Sequence, residues 1–334
     1  MKTLAVRIAS LKITLVGIIG MIILALATYR NPGFGTAWLA LPLALLAVNL
    51  LAAILTNGAF RQQPALLVFH VCLLAIVLLI GSGLLIRFDG HVEIVEGESF
   101  DAASVVRVQQ GALHDFALDE VNFVQGRIEV DYLPGLMRRD TRSSVVTAGA
   151  NRQTREFDVG NGNSVSFDSY RFNSTFNKGW AVILHWSGDD RLVQRGSINF
   201  PSFPEFEWKQ ANDWTTPGGQ QVELELHFSE HVPNDRSWVL KSGESEFSLL
   251  IGVAGQGTRE LRPGDSLRLQ HGTLTVEDLR LWMGYRIDFN PLLPWVFAAA
   301  MLALFALAMH FQLKFRSTLA ADRAAAIGVT YVCD

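Results

Sequence analysis

The sequence predicts four transmembrane helices joined to one extracytoplasmic all-β domain, either sandwich-like or an open barrel. Three long apolar runs crowd the first 86 residues, a fourth lies near 292–313, and the stretch between them is polar and strand-like. A bilayer core is spanned by about 20 mostly apolar residues in a helix. Lipid offers backbone groups no hydrogen bonds, so each run must satisfy its own and be helical despite its Val and Ile content.

Along the chain, the first helix covers about 13–28, the second 37–55, the third 64–86 and the fourth 291–313, leaving 314–334 as a short cytoplasmic tail. Pro42 is expected to kink the second helix. An alternative for the first run is a cleavable signal peptide, because Ala25-Leu26-Ala27 follows a basic start of Lys2, Arg7 and Lys12. The short connection 29–36 to the next run favours a retained helical hairpin instead. Lys2, Arg7 and Lys12 precede the first helix, Arg61 lies between the second and third, and Lys314, Arg316 and Arg323 follow the fourth. These flanks alternate onto one face, which the positive-inside rule makes cytoplasmic. Arg30 and Arg87 are the basic residues beside the opposite ends. Both termini are therefore expected inside and 88–290 outside, in a bacterial inner membrane or a thylakoid membrane.

Charge divides the same way. Residues 88–290 hold 19 Lys and Arg against 30 Asp and Glu, a net −11, and the remainder holds 9 against 2, a net +7. An acidic external domain argues against nucleic acid and favours solubility or a basic protein client. The cysteines are Cys72, within the third helix, and Cys333. The external domain thus has no disulfide, and the chain has no CxxC pair for thioredoxin-like chemistry or a zinc ribbon. About 200 residues bury an adequate core without such bridges.

Strand signals fall at 91–95, 164–167, 181–186, 222–228, 247–253 and 272–276, where β-branched or alternating apolar residues recur. Turn signals separate them at Asn161-Gly162-Asn163, Gly188-Asp189-Asp190, Pro217-Gly218-Gly219 and Pro263-Gly264-Asp265. No phosphate-binding glycine loop, dinucleotide fingerprint or serine-nucleophile elbow interrupts them. The chain leaves the third helix at Phe88 and returns at Asp288, so its first and last strands are expected to lie close together.

Several strings resemble the ResB (CcsB) family of cytochrome c biogenesis proteins. They are Ala9-Ser10-Leu11-Lys12-Ile13-Thr14-Leu15 entering the first helix, Phe69-His70-Val71-Cys72-Leu73-Leu74 in the third, and Phe88-Asp89-Gly90-His91-Val92-Glu93-Ile94-Val95-Glu96-Gly97-Glu98 beyond it. The return Met283-Gly284-Tyr285-Arg286-Ile287-Asp288, running through Pro291 and Pro294, is also similar. The resemblance implies a membrane subunit that helps carry haem b, as cargo, to the outer face for attachment to apocytochrome c. It implies a tryptophan-rich haem-handling partner of the CcsA (ResC) type, since this chain has eight Trp but no Trp-Trp-Asp string. A thiol-reducing thioredoxin-like protein is a further implied partner, and the haem lyase activity would belong to the complex.

His70 is the leading candidate site residue. A polar side chain within a membrane helix is costly and usually functional, imidazole is an axial ligand of haem iron, and the resemblance places a haem-liganding histidine in this helix. The alternative is a structural histidine bonded to a neighbouring helix. His310, near the cytoplasmic end of the fourth helix, is a second candidate at similar depth, or else a side chain reaching the headgroups. Cys72 lies about 200° around the helix from His70 and is expected to be a small buried apolar residue. The external histidines His91, His114, His185, His227, His231 and His271 show no zinc spacing. Arg138, Arg139 and Arg142 cluster in an expected loop and suit propionates or lipid headgroups, if they are not simply solvated. Phe203, Phe206, Trp208 and Trp214 are expected to fill the edge of the sandwich, or else to meet a partner or the membrane surface. No carboxylate pair stands out as catalytic.

Overall fold

The computed structural model describes residues 2–329 except 116–117, 149–153, 161, 168, 205–209, 230–232, 254 and 256. Phe206, Trp208, His231 and Cys333, named above, lie outside the described residues. The chain forms two compact units: one of Met1–Phe88, Gln109–Asp115 and Phe289–Asp334, the other of Asp89–Val108 and Phe116–Asp288.

The first unit is helical. Its elements are α1 (Lys2–Ile8), α2 (Leu11–Arg30), α3 (Ala40–Thr56), α4 (Ala59–Gln62), α5 (Pro64–Ile86) and α6 (Leu293–Val329). Four helical stretches, Leu11–Arg30, Thr36–Thr56, Pro64–Ile86 and Leu293–Arg316, are long and apolar enough to cross a membrane. Ser10 starts α2 by accepting the Lys12 N–H at its hydroxyl, 3.3 Å away. Small residues let the helices approach closely. A Cβ on Gly17 of α2 would lie 2.7 Å from Leu46 of α3, and one on Gly81 of α5 would touch Leu43 of α3 at 3.6 Å. Pro42 falls in the first turn of α3, after a 3-10 lead over Thr36–Leu39. A missing N–H costs little there, so the proline sits at the entry to the helix instead of kinking its middle. The residues expected to form a separate tail continue α6 to Val329: Ala, Leu, Lys and Arg dominate them and Gly328 is their first helix breaker.

The second unit is β-rich. Its strands are β1 (Phe88–Val95), β2 (Val106–Gln110), β3 (Val124–Leu133), β4 (Met137–Ala148), β5 (Thr154–Gly160), β6 (Ser164–Phe167), β7 (Tyr170–Gly188) and β8 (Val193–Asn199), then β9 (Ala211–Thr215), β10 (Gln221–Phe228), β11 (Trp238–Lys241), β12 (Phe247–Val253), β13 (Gly257–Leu261), β14 (Ser266–Leu269) and β15 (Gly272–Phe289). One sheet runs β2-β1-β15-β7-β6, with β14 on β15 and β8 on β7; the others run β13-β12-β10-β9 and β11-β3-β4-β5. None of these sheets closes into a barrel, and the unit is sandwich-like. The first and last strands are neighbours, as the positions of Phe88 and Asp288 led us to expect.

Alternation decides which faces are covered. In β12, Phe247, Leu249, Ile251 and Val253 are buried and the residues between them are not. Around the middle of β7 and β15 both faces are covered, with Trp180–Leu184 and Leu281–Tyr285 buried in unbroken runs. Turn chemistry follows the sequence. Asp265 N–H bonds the Arg262 carbonyl at 2.9 Å with Gly264 at φ +92°, a type II turn in which Pro263 supplies the first central residue. Gly219, at φ +83°, closes the β9–β10 connection by donating to the Thr216 carbonyl at 2.8 Å.

Candidate functional site

α5 carries His70 because an unbroken apolar run, begun by Pro64 at its first position, holds the segment helical. The imidazole is half-buried, with the ring of Phe60 at 4.4 Å and that of Phe69 at 5.3 Å. Its Nδ1 lies 2.8 Å from the Leu66 carbonyl oxygen, one turn back in the same helix. A carbonyl only accepts, so the proton sits on Nδ1, and in the neutral ring the lone pair is on Nε2. This is the tautomer of a histidine that ligates iron through Nε2 and is oriented by a backbone carbonyl at its other nitrogen. One side chain of this kind supplies one axial ligand. Cys72, two residues on, is buried.

His310 is in α6, its ring 5.6 Å from that of Phe311. With Gln63, Leu313 and Lys314 it lines an open cavity of about 300 Å³. Gln63 immediately precedes α5, whereas His70 lies seven residues further on, about 10 Å along the axis. His70 is not among the residues that line this cavity.

Two polar arrangements in the helical unit had no sequence signal. Asn49, buried in α3, donates from Nδ2 to the carbonyls of Ile8 at 2.5 Å and Ser10 at 3.1 Å, and accepts from the Thr14 hydroxyl at 2.8 Å. It thereby satisfies the Ile8 carbonyl at the end of α1 and adds a donor to the Ser10 carbonyl, which also accepts from the N–H groups of Ile13 and Thr14. At the end of α5, the segment Gln109–Asp115 supplies the missing partners. Leu113 N–H donates to the Leu85 carbonyl at 2.7 Å, Gly111 N–H to that of Arg87 at 2.8 Å, and His114 Nδ1–H to that of Ile86 at 2.8 Å. The His114 ring stacks on Phe88 at 5.2 Å and meets Phe289 edge-on at 5.0 Å. His114 is thus a helix cap, a role that spacing rules for metal ligands do not detect.

In the β-rich unit the arginines expected in a loop belong to strand β4. Arg142 faces Glu129 across the ladder and bonds Asp131 at 2.7 and 2.9 Å and Glu129 at 3.2 Å, contacts that raise its already high pKa. Arg138 donates to the Phe203 carbonyl at 2.7 Å and to that of Phe176. Arg138 and Arg142 are thus engaged within the β-rich unit. Phe203 packs against Trp180 at 4.5 Å and Tyr132 at 5.9 Å, inside the domain, as an edge-filling aromatic would. His227 Nε2 lies 3.0 Å from Glu225, His185 faces Arg195 across β7–β8, and His271 occupies the β14–β15 turn at φ +66°. Among the described residues no three His, Cys, Asp or Glu side chains converge as a metal site.

The strings that carry the resemblance are structural at their acidic positions. Glu96 Oε2 accepts from the Ser242 hydroxyl at 2.7 Å and the Ile128 N–H at 3.3 Å, and Glu98 accepts from Ser197 at 3.2 Å. Tyr285, in the return strand, donates to Gln125 Oε1 at 2.6 Å, and Gln125 Nε2 donates to Ser143 at 2.7 Å. Burial pushes the Tyr285 phenol well up. Compared with known proteins, the chain matches no family model and no curated protein.

Proposed function

We propose that this chain is a membrane subunit of cytochrome c maturation machinery. It helps move haem toward the extracytoplasmic face, where the haem is presented with apocytochrome c for covalent attachment. The observation that carries this reading is His70, an imidazole in an apolar helix whose own backbone engages Nδ1 and leaves Nε2 available to iron. The ring is half-buried, so the remaining walls and the second axial ligand are assigned to a CcsA (ResC)-type partner. The likeness of the sequence to ResB proteins and the basic flanks of its apolar helices support the same reading. In it, both termini are cytoplasmic, the membrane is the bacterial inner membrane or a thylakoid membrane, and the β-rich unit is extracytoplasmic. A thioredoxin-like reductant serves the cysteines of apocytochrome c.

The test is spectroscopic. The chain purified with its partner is expected to show a Soret band that His70→Ala removes, together with loss of cytochrome c assembly. Retention of haem and of assembly in His70→Ala would overturn the ligand assignment.

A second reading is a membrane-anchored scaffold for an extracytoplasmic protein, without haem contact. It is favoured by the packing of His70 on Phe60 and Phe69 and its bond within its own helix, which also suit a purely structural imidazole. A haem-free wild-type pair that still supports cytochrome c assembly would select it.

A further inference from the structure

We propose that a cavity in the β-rich unit is an aromatic cage for an arginine side chain presented by a partner polypeptide. The cavity measures about 320 Å³ and is lined by Trp180, Phe228, Trp238, Lys241, Glu244 and Glu246, among others. This is the lower end of the range for ligand pockets, near 300 Å³, and suits one side chain better than a large cofactor.

Trp180, only 2 % exposed, is its floor, and the half-buried Phe228 and Trp238 are its walls, held from behind. Trp180 packs against Phe228 at 4.5 Å and against Phe203 at 4.5 Å; Trp238 stacks on Tyr132 at 4.9 Å and meets Phe203 at 6.3 Å. Indole and phenyl faces carry negative quadrupole potential and attract a cation laid over them.

The rim has the same preference. Glu244 and Glu246 are exposed there, and Lys241, the basic residue of the lining, lies 3.8 Å from both Glu129 and Glu244. Its single charge is shared between two carboxylates, so the rim stays net negative. A flat guanidinium stacks on an indole and reaches a carboxylate with its remaining N–H groups, which an ammonium does less well. The net −11 of residues 88–290 steers basic polypeptides toward this unit. The inference does not depend on the haem reading.

The probe is a pentapeptide of Gly and Ser with one central arginine, titrated calorimetrically into the full-length protein in detergent; its twin carries the uncharged isostere citrulline. The arginine peptide is expected to bind about tenfold more tightly, the discrimination that about 1.4 kcal/mol of cation–π and ionic attraction provides. Glu246→Gln, at an exposed position that leaves the core intact, is expected to weaken it several-fold, and Trp238→Leu to abolish the discrimination. His70→Ala is expected to leave it unchanged. Equal binding of the two peptides, binding of neither, an unaffected Glu246→Gln variant, or tighter binding of phosphocholine than of the arginine peptide would each overturn the proposal.

Discussion

Tyr285 and Gln125 show how much one buried hydrogen bond can decide. The phenol donates to Gln125 at 2.6 Å from a fully buried strand position, and Gln125 spends its amide on Ser143 and the Ser144 and Gly126 carbonyls. Tyr285→Phe removes the donor and leaves a buried amide oxygen unsatisfied, so a loss of about 1–3 kcal/mol is expected in denaturant unfolding followed by near-ultraviolet circular dichroism. Lys178 makes a different point. Only 2 % exposed, it donates to the Thr175 carbonyl at 2.5 Å, and burial, with the Arg138 guanidinium nearby, lowers its pKa to about 8 from 10.5. Because its folded pKa lies below the unfolded one, the charged form costs stability at all pH values below about 8, and the cost is relieved as pH rises toward 10.5. Tyr132 and Tyr285, whose pKa values burial raises, act oppositely once unfolded phenols ionise above pH 10. Between about pH 8 and 10, wild type should therefore gain stability relative to Lys178→Met, whose own curve lacks this rise. Parallel curves for the two proteins across that window would refute the assignment.

The exit of α5 is an element whose integrity rests on a distant segment. A Cβ on Gly111 would lie 2.2 Å from the Leu85 carbonyl oxygen, a backbone atom that cannot swing away, so Gly111→Ala must push Gln109–Asp115 off the helix end. We expect it to free the carbonyls of Leu85 and Ile86, lower the melting temperature by several degrees, and open the segment to protease; unchanged cleavage would contradict the capping role. How far such elements were legible depends on the kind of signal they leave. The four spans were legible because about 20 apolar residues in a row leave few alternatives. The strands at 164–167 and 247–253 were legible to the residue because alternation and turn residues agreed there. β4 was not, since Arg138, Arg139 and Arg142 disguise a strand whose charges are answered by Asp131 and Glu129 on its neighbour. Asn49 and His114 left no pattern either: each serves carbonyls far away in sequence, and such partners exist only once the chain has folded. His70 was legible as a polar break in an apolar helix, whereas its tautomer needed the Leu66 carbonyl in place.

At the level of the entire chain, charge is the quantity that connects sequence to orientation. The −11 of residues 88–290 and the +7 of the remainder are separated along the polypeptide, and the proposed orientation places the basic residues at the ends of the apolar helices on the cytoplasmic side, as the positive-inside rule would have it. Haem delivery in the proposed direction requires this orientation, and single-cysteine labelling tests it directly. In a background with Cys72 and Cys333 replaced by alanine, Phe176→Cys places a thiol at an 81 % exposed position of the β-rich unit, and Leu319→Cys places one at a 59 % exposed position on α6 beyond its membrane-length stretch. A membrane-impermeant maleimide applied to intact cells or spheroplasts should modify the first and spare the second until the membrane is permeabilised. The reverse pattern would put the β-rich unit in the cytosol, where apocytochrome c is not matured. The haem reading would then fail, whereas the arginine cage, which draws only on residues of the β-rich unit, would survive with a cytosolic peptide as its occupant.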